Sequence, residues 1–348
     1  MTVALLYDDR ALEHDTGAHP ENAGRIRAVT ARLRSEGLWD ELPRLDFTPV
    51  NRDLLESVHD PRYLELLERL CEQGGGLLNA DTVMSARSFE VACLAAGAAV
   101  RGAKAVLDGE AMASFTLMRP PGHHACRAAG MSFCLLNNAA LAAAHLTRQR
   151  GLKRVLLVDF DVHHGNGTQE ILYEDGRTLY LSLHQHPAYP GTGAVSETGR
   201  GDGAALTVNV PLPPGVGDAG YRRVFEEVVA PVARRYRPQF LLVSAGYDAH
   251  WTNARYVSSI RMGVTVAGFA MMVSTLKALA EELCEGRLSL ILEGGYDPEA
   301  LGWSVAATLR VLRGEAWVDP LGAEPHAPPE PDLSRLLKQI RTSRSDRC

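Results

Sequence analysis

Short, almost uninterrupted apolar runs recur along the chain: Val3 to Tyr7, Phe115 to Met118, Val155 to Phe160, Leu179 to Leu183, Leu206 to Val210, Phe240 to Ser244 and Leu288 to Leu292. Continuous rather than alternating apolar character marks a strand covered on both faces, as in a parallel sheet layered between helices. Stretches of helical period separate the runs, among them the Ala-rich Phe89 to Leu107, then Asn137 to Arg148 and Tyr221 to Tyr236. The pattern predicts an α/β protein. In open sheets of this class, ligands gather beyond the carboxyl ends of the strands. Those positions hold RPPGHH after the second run, DFDVHHGNGT at the end of the third, AGYDAHW after the sixth and EGGYD after the seventh.

The 348 residues, 46% of them hydrophobic, suffice for one large core, so residues 1–316 are expected to form a single catalytic unit. Residues 317–348 form an extension that packs on that unit or trails from it. It begins with a proline-rich stretch, Trp317 to Pro331, expected to be irregular, and ends in a polar RTSRSDRC tail expected to fray. Charge interrupts every apolar stretch well short of the roughly 18 residues of a membrane span. Asp8 and Asp9 cut off the first run where a secretory signal would lengthen. The expectation is a soluble, cytoplasmic protein with no membrane partner. Six cysteines without a CxxC pair argue against a disulfide framework or a thiolate zinc site. A net charge of -6 argues against nonspecific nucleic-acid binding, which depends on clustered Lys and Arg. Small molecules, peptides and a homo-oligomer remain compatible with the sequence.

Asp159, Asp161 and His163 alternate at period two along a strand and its end, so their side chains share one face. A carboxylate and an imidazole so spaced can approach one ion, and zinc accepts such oxygen and nitrogen ligands. A catalytic zinc site takes a third protein ligand, for which Asp248, in the loop after another strand, is the best candidate. Any one of these acids alone is more often a helix cap or a salt-bridge partner. Their joint placement at strand ends outweighs that alternative. His123 and His124 follow Pro120, Pro121 and Gly122 on a stiff turn. They suit a general base beside a metal, because imidazole titrates near neutral pH. Asp159 is available to orient His123, and Asn166 to orient His124. Tyr296 follows Gly294 and Gly295 in a turn, where its phenol could donate to a developing oxyanion; alone it reads equally well as a packing tyrosine.

Together, RPPGHH with His123 and His124, DFDVHHGNGT with Asp161 and His163, SAGYDAHW with Asp248 and LEGGYD with Tyr296 resemble the histone deacetylase and acetylpolyamine amidohydrolase superfamily. The resemblance runs from about the first strand to about Arg313, and HPE at 19–21 followed by Arg25 resembles that family's opening segment. It implies a single-domain arginase/deacetylase-like fold with a central, mostly parallel eight-stranded sheet flanked by helices. It implies one zinc on Asp161, His163 and Asp248, with His124 as the base and acid nearest the water. His123, paired with Asp159, would contribute charge and orientation, and Tyr296 would polarise the carbonyl. Asn166, where class I enzymes carry an aspartate, resembles the class II and bacterial branch. A structural potassium is also implied, with carbonyls of Asp159, Asp161 and His163 and the Ser182 and Leu183 region as ligands.

Phe133 and Tyr189 match two tunnel aromatics that flank the acyl-lysine stem, the plain alternative being core packing. Asp81 matches an aspartate at the tunnel mouth, and Gly294 falls among the substrate-facing positions. Arg255 stands seven residues after Asp248, where polyamine-specialised relatives carry an acidic gatekeeper; the alternative is an ordinary surface charge. The implied reaction is hydrolysis of an acyl amide, acetyl foremost, on a lysine of a peptide or protein or on a small amine such as a polyamine. A binuclear manganese ureohydrolase is a rival, but it would need further Asp and His at strand ends and has no use for the GGY tyrosine or the histidine pair. A module that holds acylated ligands without hydrolysing them would not need Tyr296 and His124. Thr252, Asn253, Ala254, Arg255 and Tyr256 stand where many bacterial relatives carry an acidic residue and a proline, so the natural amine is not legible from that loop.

Overall fold

The computed structural model describes residues 2–345. Its strands are Val3–Leu6 (β1), Gly75–Leu77 (β2), Val83–Ser85 (β3), Ala113–Thr116 (β4), Val155–Asp159 (β5), Thr178–Gln185 (β6), Thr207–Leu212 (β7), Phe240–Ala245 (β8) and Leu288–Leu292 (β9). Seven of them form one sheet in the order β1-β4-β9-β8-β5-β6-β7, every pair parallel, while β2 and β3 make a separate antiparallel pair. Those seven are the seven apolar runs.

The sheet is thus one strand short of the eight expected. At the β1 edge, Leu5 exchanges hydrogen bonds with Pro43 and Leu45, but the pairing stops at a single bridge to Arg44. Pro43 has no N–H to offer a ladder, so this segment does not extend into an eighth strand.

Alternate residues of each strand enter different cores, as period two demands. Leu156, Val158, Leu241, Val243 and Leu290 face the helices Ala23–Ser35, Val266–Leu283 and Pro298–Arg313. Val155, Leu157, Phe240, Leu242 and Ile291 face Ser88–Leu107 and Asn138–Ala144 on the other side. Burial on both faces is why the strands read as unbroken apolar runs. The expected helices Asn137 to Arg148 and Tyr221 to Tyr236 each contain a wider π-helical segment, at His145–Gln149 and Phe225–Val229.

The extension is irregular through the prolines and then forms a helix, Ser334–Ser345, which takes in residues 341–345 of the tail expected to fray; residues 346–348 of that tail lie outside the described residues. Leu333, Leu337 and Ile340 are buried in the main core. Earlier in the extension, the Glu330 carboxylate accepts the N–H groups of Ala219 and Gly220, and Gly322 accepts from the indole of Trp251. Among the described residues, no helix is long and apolar enough to cross a membrane.

Candidate functional site

The strand order places β4, β9, β8 and β5 side by side, so the four motif-bearing loops that follow them meet at one edge of the sheet. From the β5 end come Asp161 and His163, and from the β8 end comes Asp248. One ligand atom from each lies within 4.8 Å of the others, and all three residues are buried. Backbone donors aim the carboxylates: Gly294 N–H reaches Asp161 Oδ2 at 2.8 Å, His163 N–H reaches Asp161 Oδ1 at 2.9 Å, and Val162 N–H reaches Asp248 Oδ1 at 2.9 Å.

The group fits a divalent cation on three counts. His163 Nδ1 stands 3.2 Å from Asp161 Oδ1 and 3.1 Å from Asp248 Oδ2. Its hydrogen bond is directed at Asp161, which leaves Asp248 Oδ2 a buried oxygen without a donor despite the short separation. Glycine is required around it: a Cβ at Gly246 would stand 2.0 Å from Asp161 Oδ2, and one at Gly294 would stand 2.4 Å from Asp248 Oδ2. The charge balance also asks for a cation. Burial raises the Asp248 carboxyl, and repulsion from Asp161 adds to it. Burial opposes a charged His163, yet the adjoining Asp161 and Asp248 carboxylates outweigh it and hold the imidazole up at about 9. A proton there meets the same demand as a metal, and metal binding displaces it.

Beside this cluster, cis Arg119-Pro120 leads into the turn carrying the two histidines. The Glu293 carboxylate grips that turn through the N–H groups of Gly122, at 2.7 Å, and His123, at 3.2 Å. His123 Nδ1 lies 3.1 Å from Asp159 Oδ2, which also accepts the Tyr180 hydroxyl at 2.8 Å. His124 Nδ1 lies 2.7 Å from Asn166 Oδ1.

The two imidazoles are tuned apart. At His123 burial disfavours the charged form, but the Asp161 and Asp159 carboxylates overcome it and raise the pKa to about 10. At His124 burial and the charges of His123 and His163 act together and push it well below its usual value. Tyr296 stays a phenol, because burial and the nearby Asp248 raise it well above 10.

Residues 19–312 match the histone deacetylase domain family. The chain belongs to the histone deacetylase family. It is 42% identical over 319 residues to a probable deacetylase of Archaeoglobus fulgidus, covering 90% of this chain and 87% of that one. It is 37% identical to the chloroplastic histone deacetylase 14 of Arabidopsis thaliana, covering 99% and 85%. The crystal structure of the HDA15 HD domain superposes with a TM-score of 0.84 at 37% identity over 91% of each chain. This is a deacetylase with a buried Asp161, His163 and Asp248 metal-binding triad.

Around the triad of this deacetylase, the Phe133 ring lies edge-on to Tyr296 with centroids 6.0 Å apart, and the Tyr189 ring edge-on to His124 at 5.6 Å. Asp81 Oδ1 accepts the N–H of Ser132, beside Phe133, at 3.2 Å. Ser182 sits opposite Asp159 in the β5/β6 register, with Leu183 next along β6. Arg255 is exposed, its guanidinium 5.3 Å over the Trp251 ring.

Several buried partners support the site in roles that the motifs by themselves do not state. Arg25 donates to the carbonyls of Gly295 and Glu293 and lies 5.2 Å over the Tyr296 ring, while Glu21 pairs with both Arg25 and Arg119. HPE at 19–21 with Arg25 hinted at this segment, but the partners lie far along the chain. Glu293, Tyr180 and Asn253 were legible only in three dimensions.

Proposed function

We propose that this deacetylase is a zinc-dependent amidohydrolase that removes acyl groups, acetyl foremost, from lysine side chains or related amines. The observation that carries the reading is the buried histidine pair, His123 held by Asp159 and His124 held by Asn166, set beside the Asp161, His163 and Asp248 cluster. Zinc, when bound there, supplies a Lewis acid for the amide carbonyl and makes a water easier to deprotonate.

The chain's own residues do the rest. Asn166 Nδ2 points at Met131 Sδ, an acceptor without a hydrogen. Its Oδ1 therefore faces His124, whose Nδ1 carries the hydrogen and whose Nε2 is left with a lone pair for the incoming water. This tautomer follows from the bonding pattern. His124 takes the proton. His123, its Nδ1–H turned to Asp159, keeps positive charge beside the reacting centre, so the proton that His124 has taken from the water is readily released to the leaving amine. Tyr296, protonated throughout, donates to the carbonyl oxygen as it becomes anionic. Phe133 and Tyr189 serve as walls for the acyl-lysine stem, with Asp81 and Gly294 toward the substrate. The carbonyls of Asp159, Asp161, His163 and Leu183, with Ser182, form the seat for a structural potassium.

Metal analysis combined with acetate release from an acetyl-lysine amide tests the reading. The expected result is about one zinc per chain, activity lost to a chelator, and a His124→Ala variant that keeps its zinc but not its turnover. Two manganese ions per chain, or zinc lost with His124, overturns it.

For specificity, we propose that Arg255 disfavours cationic substrates, since like charges at the mouth of a low-dielectric tunnel repel. Neutral acetyl-lysine amides should be better substrates than acetylspermidine, and Arg255→Glu should move kcat/KM toward the polyamine. An unchanged ratio returns Arg255 to the ordinary surface, stacked on Trp251.

A further inference from the structure

The turn that carries Tyr296 is tied down by Asn253, a side chain only 1% exposed in the short 3-10 helix Trp251–Arg255. Its Oδ1 accepts two backbone N–H groups, that of Tyr296 at 2.7 Å and that of Asp297 at 3.0 Å. Its Nδ2 donates to the carbonyl of Tyr247 at 3.1 Å and reaches that of His250 at 3.5 Å. Tyr247 and His250 bracket Asp248 in the sequence. One carboxamide, using both its acceptor and its donor ends, therefore joins the loop of a metal-site carboxylate to the turn of the phenol.

We propose that Asn253 is a positioning residue for deacetylation, setting where the Tyr296 hydroxyl stands relative to Asp248. The inference rests on the reading of Tyr296 as the donor to the carbonyl. The turn needs such a tie. Gly295 has φ +121°, a conformation that a residue with a Cβ rarely adopts, so the backbone just before Tyr296 is intrinsically pliant. Just after it, Asp297 caps the helix Pro298–Arg313 through the N–H groups of Glu299 and Ala300. The N–H groups of Tyr296 and Asp297 fall between these two features, buried, with the Asn253 oxygen as their acceptor. Without that oxygen both donors lose their partner, and the turn must shift to recover one. A donor that serves the transition state tolerates little displacement: a misplacement of about 1 Å can cost on the order of 100-fold in rate.

Asn253→Ala is expected to lower kcat by about 10- to 100-fold with KM held within about threefold, because the tie holds the backbone of the Tyr296 turn and not that of Phe133 or Tyr189. Asn253→Asp keeps the acceptor for Tyr296 and Asp297 but loses the donor to Tyr247 and His250, and should recover part of the loss. Added to Tyr296→Phe, Asn253→Ala should cost less than about threefold more, since the group it positions is already gone. Amide exchange in the segment 294–300, read by mass spectrometry, should quicken by at least about tenfold in Asn253→Ala and stay near wild type in Asn253→Asp. If Asn253→Ala does not fold, Asn253→Ser takes its place in the same cycle. Costs that multiply with Tyr296→Phe, or exchange that does not change, overturn the proposal. If Tyr296→Phe alone leaves kcat intact, the reading of Tyr296 fails instead, and the exchange rates still decide whether Asn253 holds the turn.

Discussion

Burial first, then the nearby Asp248 and Asp161 carboxylates, keep Tyr296 a phenol, so in the proposed reaction it offers a hydrogen bond rather than a proton. Loss of one oxyanion donor typically costs roughly 100- to 1,000-fold in turnover, and Tyr296→Phe should lower kcat by that order with little change in KM. A loss confined to KM, measured on an acetyl-lysine amide, would instead assign the ring to binding. Residues of this kind were readable from the chain because each is announced by its own neighbours: Gly294 and Gly295 before Tyr296, Pro120 to Gly122 before the histidines, and alternation through Asp159, Asp161 and His163. What Arg25, Glu293 and Asn253 hold was not readable. They act on backbone groups of distant loops, as in Arg25 on Gly295, and no local pattern encodes a partner 270 residues away.

Elements, unlike single residues, depend on how their ends are finished. Asn137 caps the helix Asn138–Ala144 and also reaches back to Ala125 in the histidine turn at 3.1 Å, while its own N–H is accepted by His59 Nε2 at 3.0 Å. That bond requires His59 to be neutral. Burial chiefly lowers its pKa to about 4 in the folded chain, against roughly 6.5 when unfolded. The unfolded state therefore takes up the proton first. The stabilisation is complete above the unfolded value and is lost as pH falls from about 6.5 toward about 4. His14 and His164, also lowered to about 4 mainly by burial, add to the same slope. Urea midpoints between pH 7.5 and 5 should fall accordingly, and His59→Gln should flatten part of that fall; an identical slope in the variant would exclude His59. The large strands were legible because burial on both faces left long apolar runs. The pair β2 and β3 was not, being three residues each, with two glycines and two exposed positions in β2 and a single buried residue in β3. The final helix did carry a signal, with Leu333, Leu337 and Ile340 at helical spacing, but the prolines before it and the polar tail around it masked the stripe.

At the scale of the molecule, neighbours in the sheet are seldom neighbours in the chain. β5 and β8 lie side by side, yet β6, β7 and the helices between them intervene in sequence. Asp161 and His163 therefore meet Asp248 across a stretch of chain that holds two of the seven strands, and such non-local contacts are expected to form late because loop closure must precede them. An ion held by all three ligands cannot act as a seed for folding. It can act as a lock: interactions absent from the barrier state stabilise only the far side of it, so occupancy should slow the escape from the native state and leave the rate of reaching it unchanged. Stopped-flow unfolding and refolding with and without a chelator separate the two cases, and a metal that quickened refolding would mean that the β5 and β8 ends meet early. A protein built this way would gain working lifetime from its metal, since an occupied site makes the parting of the β5 and β8 ends rarer.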